Sequence, residues 1–265
     1  MAEPDEIALR AAEVATEVSE ADRPQDRQRR VAAFLRAAGS GAQAAGRGAQ
    51  AAGRGAGRGA GAAWRRVDTA RRKAGWGTGW LAAQVTAMAP RLRVRNQAAL
   101  REQFGSQSAE EIADALIDGA ARASAAAGGA AGAWAALPVL AAYPAEIAAE
   151  TLVLVGIEIK LIAELHEAYG RPATGTVTER MGAYVASWAH RRGVSMIPGG
   201  VVIAAGSPLA RQLRRRLAVR AGRSAFSLGP LLTGAAAGAF LNGRETRRLG
   251  RDIRRDLRHG AFPGM

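Results

Sequence analysis

The side chains able to do chemistry are few and scattered. His166, His190 and His259 lie in separate segments, and His166, between Leu165 and Glu167, forms no HExxH pair for a zinc ion. Ser195, Ser207, Ser224 and Ser227 sit near turns, but none has the GxSxG setting that presents a serine nucleophile. The run Gly53-Arg54-Gly55-Ala56-Gly57 follows no strand and lacks the Lys-Ser or Lys-Thr that closes a phosphate-binding loop. Cysteine is absent, which excludes disulfides, thiolate ligands and a thiol nucleophile. These patterns point to no catalytic residue, no metal and no cofactor, so a non-enzymatic role is expected, with an unrecognised enzyme that uses a helical pocket as a further alternative.

What recurs instead is arginine. Arg211, Arg214, Arg215, Arg216, Arg220 and Arg223 lie between two uncharged stretches, and Arg244, Arg247, Arg248, Arg251, Arg254, Arg255 and Arg258 follow the second. Basic side chains beside apolar segments attract anionic leaflets, at about 1 kcal/mol each near the surface. Arg211, Arg214, Arg215, Arg220, Arg244, Arg247, Arg248, Arg251 and Arg255 are therefore the candidate contacts with an anionic surface, lipid or membrane protein. The positive-inside bias puts them on the cytoplasmic face.

Two other readings share these residues. Asp252 and Asp256 interleave with the arginines, and Leu249, Ile253 and Leu257 make an apolar stripe, as in a charged surface helix. Nucleic acid is the other possible partner, through the Gly-Arg repeats and basic helices, because phosphate contacts need only charge. Aromatic residues for base stacking are scarce, with only Trp64 close to the repeats, followed by Trp76 and Trp80.

One carboxylate stands apart. On a helical wheel Glu146, Glu150, Lys160 and Glu164 share a face, while Glu158 falls near Ile162, Leu165 and Tyr169. A carboxylate in such surroundings needs a partner or a raised pKa. An ion pair with an arginine of another helix is the expected answer.

The elements that must position these residues are helices. The expected class is all-α, a multi-helix bundle with close-packed Ala/Gly-rich helices behind a flexible N-terminal extension. Residues 1–38 read as an acidic-then-basic segment, helical or disordered, with Ile7, Val14 and Val18 and then Val31, Phe34 and Leu35 at helical spacing across Pro24. A solvated tail is preferred for its acidic start, over a fold-back onto a basic patch. No secretory signal is visible there.

Residues 39–63 are a Gly/Ala/Arg linker, since repeated glycine costs about 1 kcal/mol per residue in a helix. Residues 64–95 read as a basic helix, 96–259 as the helical domain and 260–265 as a tail. Ser108 with Glu111 and Thr176 with Glu179 form capping boxes. A helix is expected to run through Ile112, Leu116 and Ile117 to Ala127, and another over residues 145–169, stopped by Gly170. A third carries Met181, Tyr184, Val185 and Trp188 as an apolar stripe. Ser207-Pro208 starts one with Leu209, Leu213 and Leu217 in line, and Pro230 opens the last. Val201, Val202 and Ile203 are too short a run to build a sheet.

The uncharged stretches approach the roughly 20 residues that cross a bilayer. Their alanines and glycines repay insertion poorly, and the charges on residues 145–169 oppose spanning. A protein lying on or partly in the membrane is expected, as an accessory or scaffold.

The last helical region also carries a pattern. Leu228-Gly229-Pro230, Gly234, Gly238, Asn242, Thr246 and Gly250 resemble the C-terminal signature of the EcsC family. Ile162-Ala163-Glu164-Leu165 ending in Tyr169-Gly170 looks like that family's helix end before its middle loop, and the glycine-rich turn with Leu137-Pro138 is similar too. The likeness covers roughly residues 100–257. It implies a helical, membrane-associated bacterial protein and supplies no active-site residues. Gly229, Gly234, Gly238 and Asn242 are expected to pack helix on helix, with Gly234 and Gly238 a GxxxG step.

Overall fold

The computed structural model describes residues 4–51, 78–105, 108–134, 143–197, 200–203 and 229–260. Within them the chain forms α1 (Pro4–Glu20), α2 (Pro24–Ala51), α3 (Thr78–Met88), a 3-10 turn (Ala89–Arg91), α4 (Gln97–Phe104), α5 (Ala109–Trp134), α6 (Tyr143–Ala168), α7 (Val177–Arg192), a hairpin of β1 (Val194–Ile197) and β2 (Gly200–Ile203), and α8 (Gly229–His259). The class is all-α.

Both predicted capping boxes close. The Ser108 amide donates to Glu111 Oε2 at 2.8 Å and the Glu111 amide donates to Ser108 Oγ at 3.3 Å. Thr176 and Glu179 do the same for α7, which ends on Gly193 in the left-handed region at φ 64°. That conformation is cheap only for glycine.

Helix α6 is the axis of the bundle. Every residue of it from position 149 to position 168 is buried, and it touches each of the other seven described helices. A helix buried on all sides belongs in a core. Lys160 and Glu164 find their partners inside the protein. Lys160, on the face opposite Glu158, donates to Glu164 Oε1 at 2.5 Å, to Glu20 Oε1 at 3.1 Å and to the Arg93 carbonyl at 2.5 Å. Arg95 closes the cluster, with Nη2 2.6 Å from Glu164 Oε2. Burial works against the Glu164 carboxylate, but hydrogen bonds from Arg95 and the Lys160 charge outweigh it and hold its pKa below the usual value.

Several expectations are corrected. The acidic N-terminus is not a solvated tail, because α1 turns a face of Ala8, Ala11, Ala12, Ala15 and Val18 into the core. The fit against α6 is close: a Cβ on Gly156 would lie 2.7 Å from the Ala15 Cβ. Glu6, Glu13, Glu17 and Glu20 lie on its outer side. The alanine face carries the packing, and at the end of the segment Glu20 alone among these acids meets the core, through Lys160. Arg27 then joins the first two helices, donating to the Val18 carbonyl at 3.2 Å and also to the Ala21 carbonyl at the end of α1.

The start of the expected linker is helical as well. Helix α2 continues to Ala51, since the alanines between its glycines have the highest helix propensity; residues 52–63 lie outside the described residues. The expected basic helix of 64–95 is described only from Thr78 and stops at the Pro90 turn, where proline offers no amide to continue it. Val201, Val202 and Ile203 do pair, antiparallel, with Ser195, Met196 and Val194 respectively opposite Val202, Val201 and Ile203. The region after Ser207-Pro208 lies outside the described residues. No described helix is long and apolar enough to cross a membrane.

Candidate functional site

Helices α5 and α8 form the most extensive helix pair, and small residues let them meet backbone to backbone. A Cβ on Gly128 would come within 2.3 Å of Asn242 Nδ2 and 2.6 Å of the Gly238 carbonyl oxygen; one on Gly250 would come within 2.7 Å of Ile117 Cγ1. Asn242 and Thr246 are buried on this inner side with Leu249, Ile253 and Leu257. Gly229 opens α8 and Gly234 lies in its second turn, with their packing outside the described side chains.

The edge of this contact is an ion-pair ladder. On α5, Glu110, Asp114 and Asp118 recur every four residues and so share one face. Glu110 pairs with Arg258, with Nε 2.7 Å from Oε1, Asp114 pairs with Arg254, and Asp118 pairs with Arg247 at 2.9 Å. The order runs backwards along α8, so the helices are antiparallel. The Arg258 hydrogen bond lowers the Glu110 pKa to about 2, against the opposing effect of burial and with help from Tyr169.

In the fourth place of the α5 row stands Arg122. It is level with residues 243–247 of α8, since Gly243 packs on Ala121. No acid meets it. The charge of Arg122 reaches Arg27, whose pKa is lowered first by burial and then by that neighbour, with Asp22 opposing.

Here the surface opens into a groove of about 880 Å³ lined by Arg122, Arg244, Arg247, Arg248, Arg251 and Arg255 among others. Its floor is small and apolar (Ala121, Ala125, Ala239 and Gly243), and Phe240, 66% exposed, stands at one end. Arg247 is engaged by Asp118, and Arg255 lies 3.4 Å from Asp252. Arg122, Arg244, Arg248 and Arg251 are exposed and have no hydrogen-bond or ion-pair partner among the described residues. From Arg244 to Arg255 the row covers about 17 Å of helix.

Five of the nine arginines singled out from sequence thus meet in one groove. Arg211, Arg214, Arg215 and Arg220 lie outside the described residues. Arg122 was missed, although the change from acid to base in the 110, 114, 118, 122 row is its signal.

Glu158 sits behind the groove, buried, with four donors. Trp188 Nε1 donates to Oε2 at 2.8 Å, Arg192 Nε donates to Oε2 at 3.0 Å and Arg192 Nη2 to Oε1, and Thr246 Oγ1 donates to Oε1 at 3.1 Å. Ser124 Oγ lies 2.8 Å from the same threonine hydroxyl, and Glu245 lies 3.4 Å from Arg192. Burial opposes the Arg192 charge, but Glu158 and then Glu245 outweigh it and raise its pKa. The network fastens α5, α6, α7 and α8 at one point and aligns the helix that carries the arginines.

The histidines stay apart. His166 is a core residue, with Nδ1 2.7 Å from the Ile162 carbonyl and its ring against Tyr184, and its pKa is lowered mainly by burial. His190 and His259 are exposed. Among the described residues no group of three or more His, Asp or Glu is placed to hold a metal ion.

Of the residues that carry the EcsC resemblance, Gly238, Asn242, Thr246 and Gly250 lie on the inner face of α8, away from the guanidiniums, and Ile162 to Leu165 are buried in α6. No protein-family model, curated protein or solved structure matches the chain.

Proposed function

We propose that the protein is a non-enzymatic accessory or scaffold that docks on the cytoplasmic face of an anionic membrane through the arginine groove. One observation carries the reading: four exposed guanidiniums, Arg122, Arg244, Arg248 and Arg251, lack carboxylate partners among the described residues and stand beside an exposed phenylalanine. Charges already paired with acids contribute little to a further partner, whereas free ones attract a negative leaflet at about 1 kcal/mol each. An aromatic ring beside them suits the headgroup boundary, where its apolar face leaves water. The EcsC resemblance adds an expectation of membrane association, and the sequence holds four further candidate arginines, Arg211, Arg214, Arg215 and Arg220.

Vesicle co-sedimentation tests the reading. The full chain is mixed with phosphatidylcholine vesicles with or without phosphatidylglycerol, at low and high salt. Binding is expected only to the anionic vesicles, with release by salt. Arg244→Glu, Arg248→Glu and Arg251→Glu together remove about 3 kcal/mol of attraction, a loss of at least about 100-fold. Equal binding to neutral vesicles, or a triple variant that binds as wild type does, overturns it. So does capture by duplex DNA in preference to the anionic vesicles.

A further inference from the structure

The groove is not uniform along its length, and that polarity says more than its charge. At the end nearer the start of α8 the lining is Ala239, Phe240 and Gly243, with Gly243 packed on Ala125 of α5. At the other end stand Arg248, Arg251 and Arg255 with a single carboxylate, Asp252. Arg122 and Arg244 occupy the junction. A delocalised electrostatic surface needs no such order. An apolar trough that opens into a cluster of guanidiniums has the order of an amphiphile.

We infer that the groove seats one phosphate-bearing amphiphile, its phosphate among Arg122, Arg244 and Arg248 and its first methylenes on the Ala121, Ala125, Ala239 and Gly243 floor beside Phe240. This rests on the membrane reading above and adds a discrete site to it. The headgroup chemistry follows from donor number. Each guanidinium presents a fork of N–H donors, and a single carboxylate, with two oxygens, saturates on one or two of them. A terminal phosphate offers three oxygens and up to two charges, which matches several unpaired forks converging from two helices. Arg122 of α5 and Arg244 of α8 line the same groove, so an anion set between the two helices faces both. The small floor residues matter for the rest of the ligand. They leave space where leucines would fill it, and the ring of Phe240 supplies apolar area at the rim.

The test uses soluble ligands, so that no membrane surface is present. Dihexanoyl phosphatidic acid, dihexanoyl phosphatidylcholine and glycerol 3-phosphate are titrated into the full chain below their micelle concentrations, with calorimetry as the readout. The phosphatidic acid is expected to bind once per chain, at least about tenfold tighter than either control, since burying two methylenes accounts for that factor. Phe240→Ser should bring it close to the glycerol 3-phosphate affinity, and Arg122→Glu should abolish it. Both side chains are exposed, and circular dichroism checks that each variant keeps its helices. Equal affinity for phosphatidic acid and glycerol 3-phosphate overturns the amphiphile site, as does binding unaffected by Arg122→Glu. If soluble ligands fail while anionic vesicles still bind in a groove-dependent way, the discrete site is refuted and the docking surface stands. If both fail, both are refuted.

Discussion

Replacing Glu158 by glutamine keeps its size and removes its charge, and the structure says how much should follow. Both partners of the Glu158–Arg192 pair are nearly inaccessible, with side chains 9% and 6% exposed. The carboxylate accepts from four donors, two on each oxygen. Glutamine has one acceptor oxygen, so its NH2 must be turned toward two of those donors. Arg192 is then a buried cation whose remaining carboxylate is Glu245, at 3.4 Å. Breaking a buried pair from one side costs roughly 3–5 kcal/mol, because the other charge stays in a medium that solvates it poorly. For a chain of this size each kcal/mol lowers Tm by about 2–4 °C, which puts the expected fall on the order of 10 °C.

Urea unfolding followed by far-UV circular dichroism gives the free energy, with an unchanged slope showing that only stability moved. Arg192→Met supplies the second leg of the cycle. Combined with Glu158→Gln it removes the stranded charge, so the double variant should be more stable than the sum of the two single losses implies, by about 1–3 kcal/mol. A Glu158→Gln loss below about 1 kcal/mol would refute the premise that the cation is held dry inside the bundle. Additive losses would refute the pairing itself.

Two further outcomes are expected. Gly238→Ala places a methyl 2.8 Å from the Gly128 carbonyl oxygen, so α5 and α8 must separate; a loss of about 1–3 kcal/mol in the same urea assay is expected, and an unchanged midpoint would show that the crossing is loose. The Glu110 pKa lies at about 2 instead of 4.5. A depressed carboxylate contributes its stability in full above the unfolded value and loses it as pH falls toward the folded one. Wild-type Tm should therefore approach that of Glu110→Gln between about pH 4.5 and pH 2, and a constant gap across that window would remove the Arg258 pair from the account of stability.

The helical class was open to reading because capping residues and apolar spacing act locally. Ser108 with Glu111, and Thr176 with Glu179, need only their own turn to close. The N-terminal segment was misread for the opposite reason. Its alanines at positions 8, 11, 12 and 15 bury little area each, and their value appears only where Gly156 lets a partner backbone come close. The same holds for Gly128, whose packing on Gly238 carries α5 beyond the expected end near Ala127. Lys160 and Glu164 could be placed on one helical face, but nothing along α6 announces that Arg95, Glu20 and the Arg93 carbonyl will arrive from elsewhere.

Glu158 stood out by its place on the wheel; its partners did not. Arginine density behaves in the same way. Helix α8 carries seven arginines from Arg244 to Arg258, and as a sequence they are equivalent. The structure divides them by what stands opposite. Arg247, Arg254 and Arg258 meet the Asp118, Asp114 and Glu110 row of α5, and Arg255 meets Asp252. Arg244, Arg248 and Arg251 meet no acid among the described residues. The formal net charge of +14 counts all of these alike, yet only unpaired guanidiniums are free to take up a further anion without first giving up a carboxylate. The division turns on a single step in the α5 row, where the fourth residue is Arg122 instead of an acid. An acidic residue there would extend the ladder by a rung and neutralise the groove at its junction, which makes Arg122→Glu a sharper probe of the site than any one change among the arginines of α8.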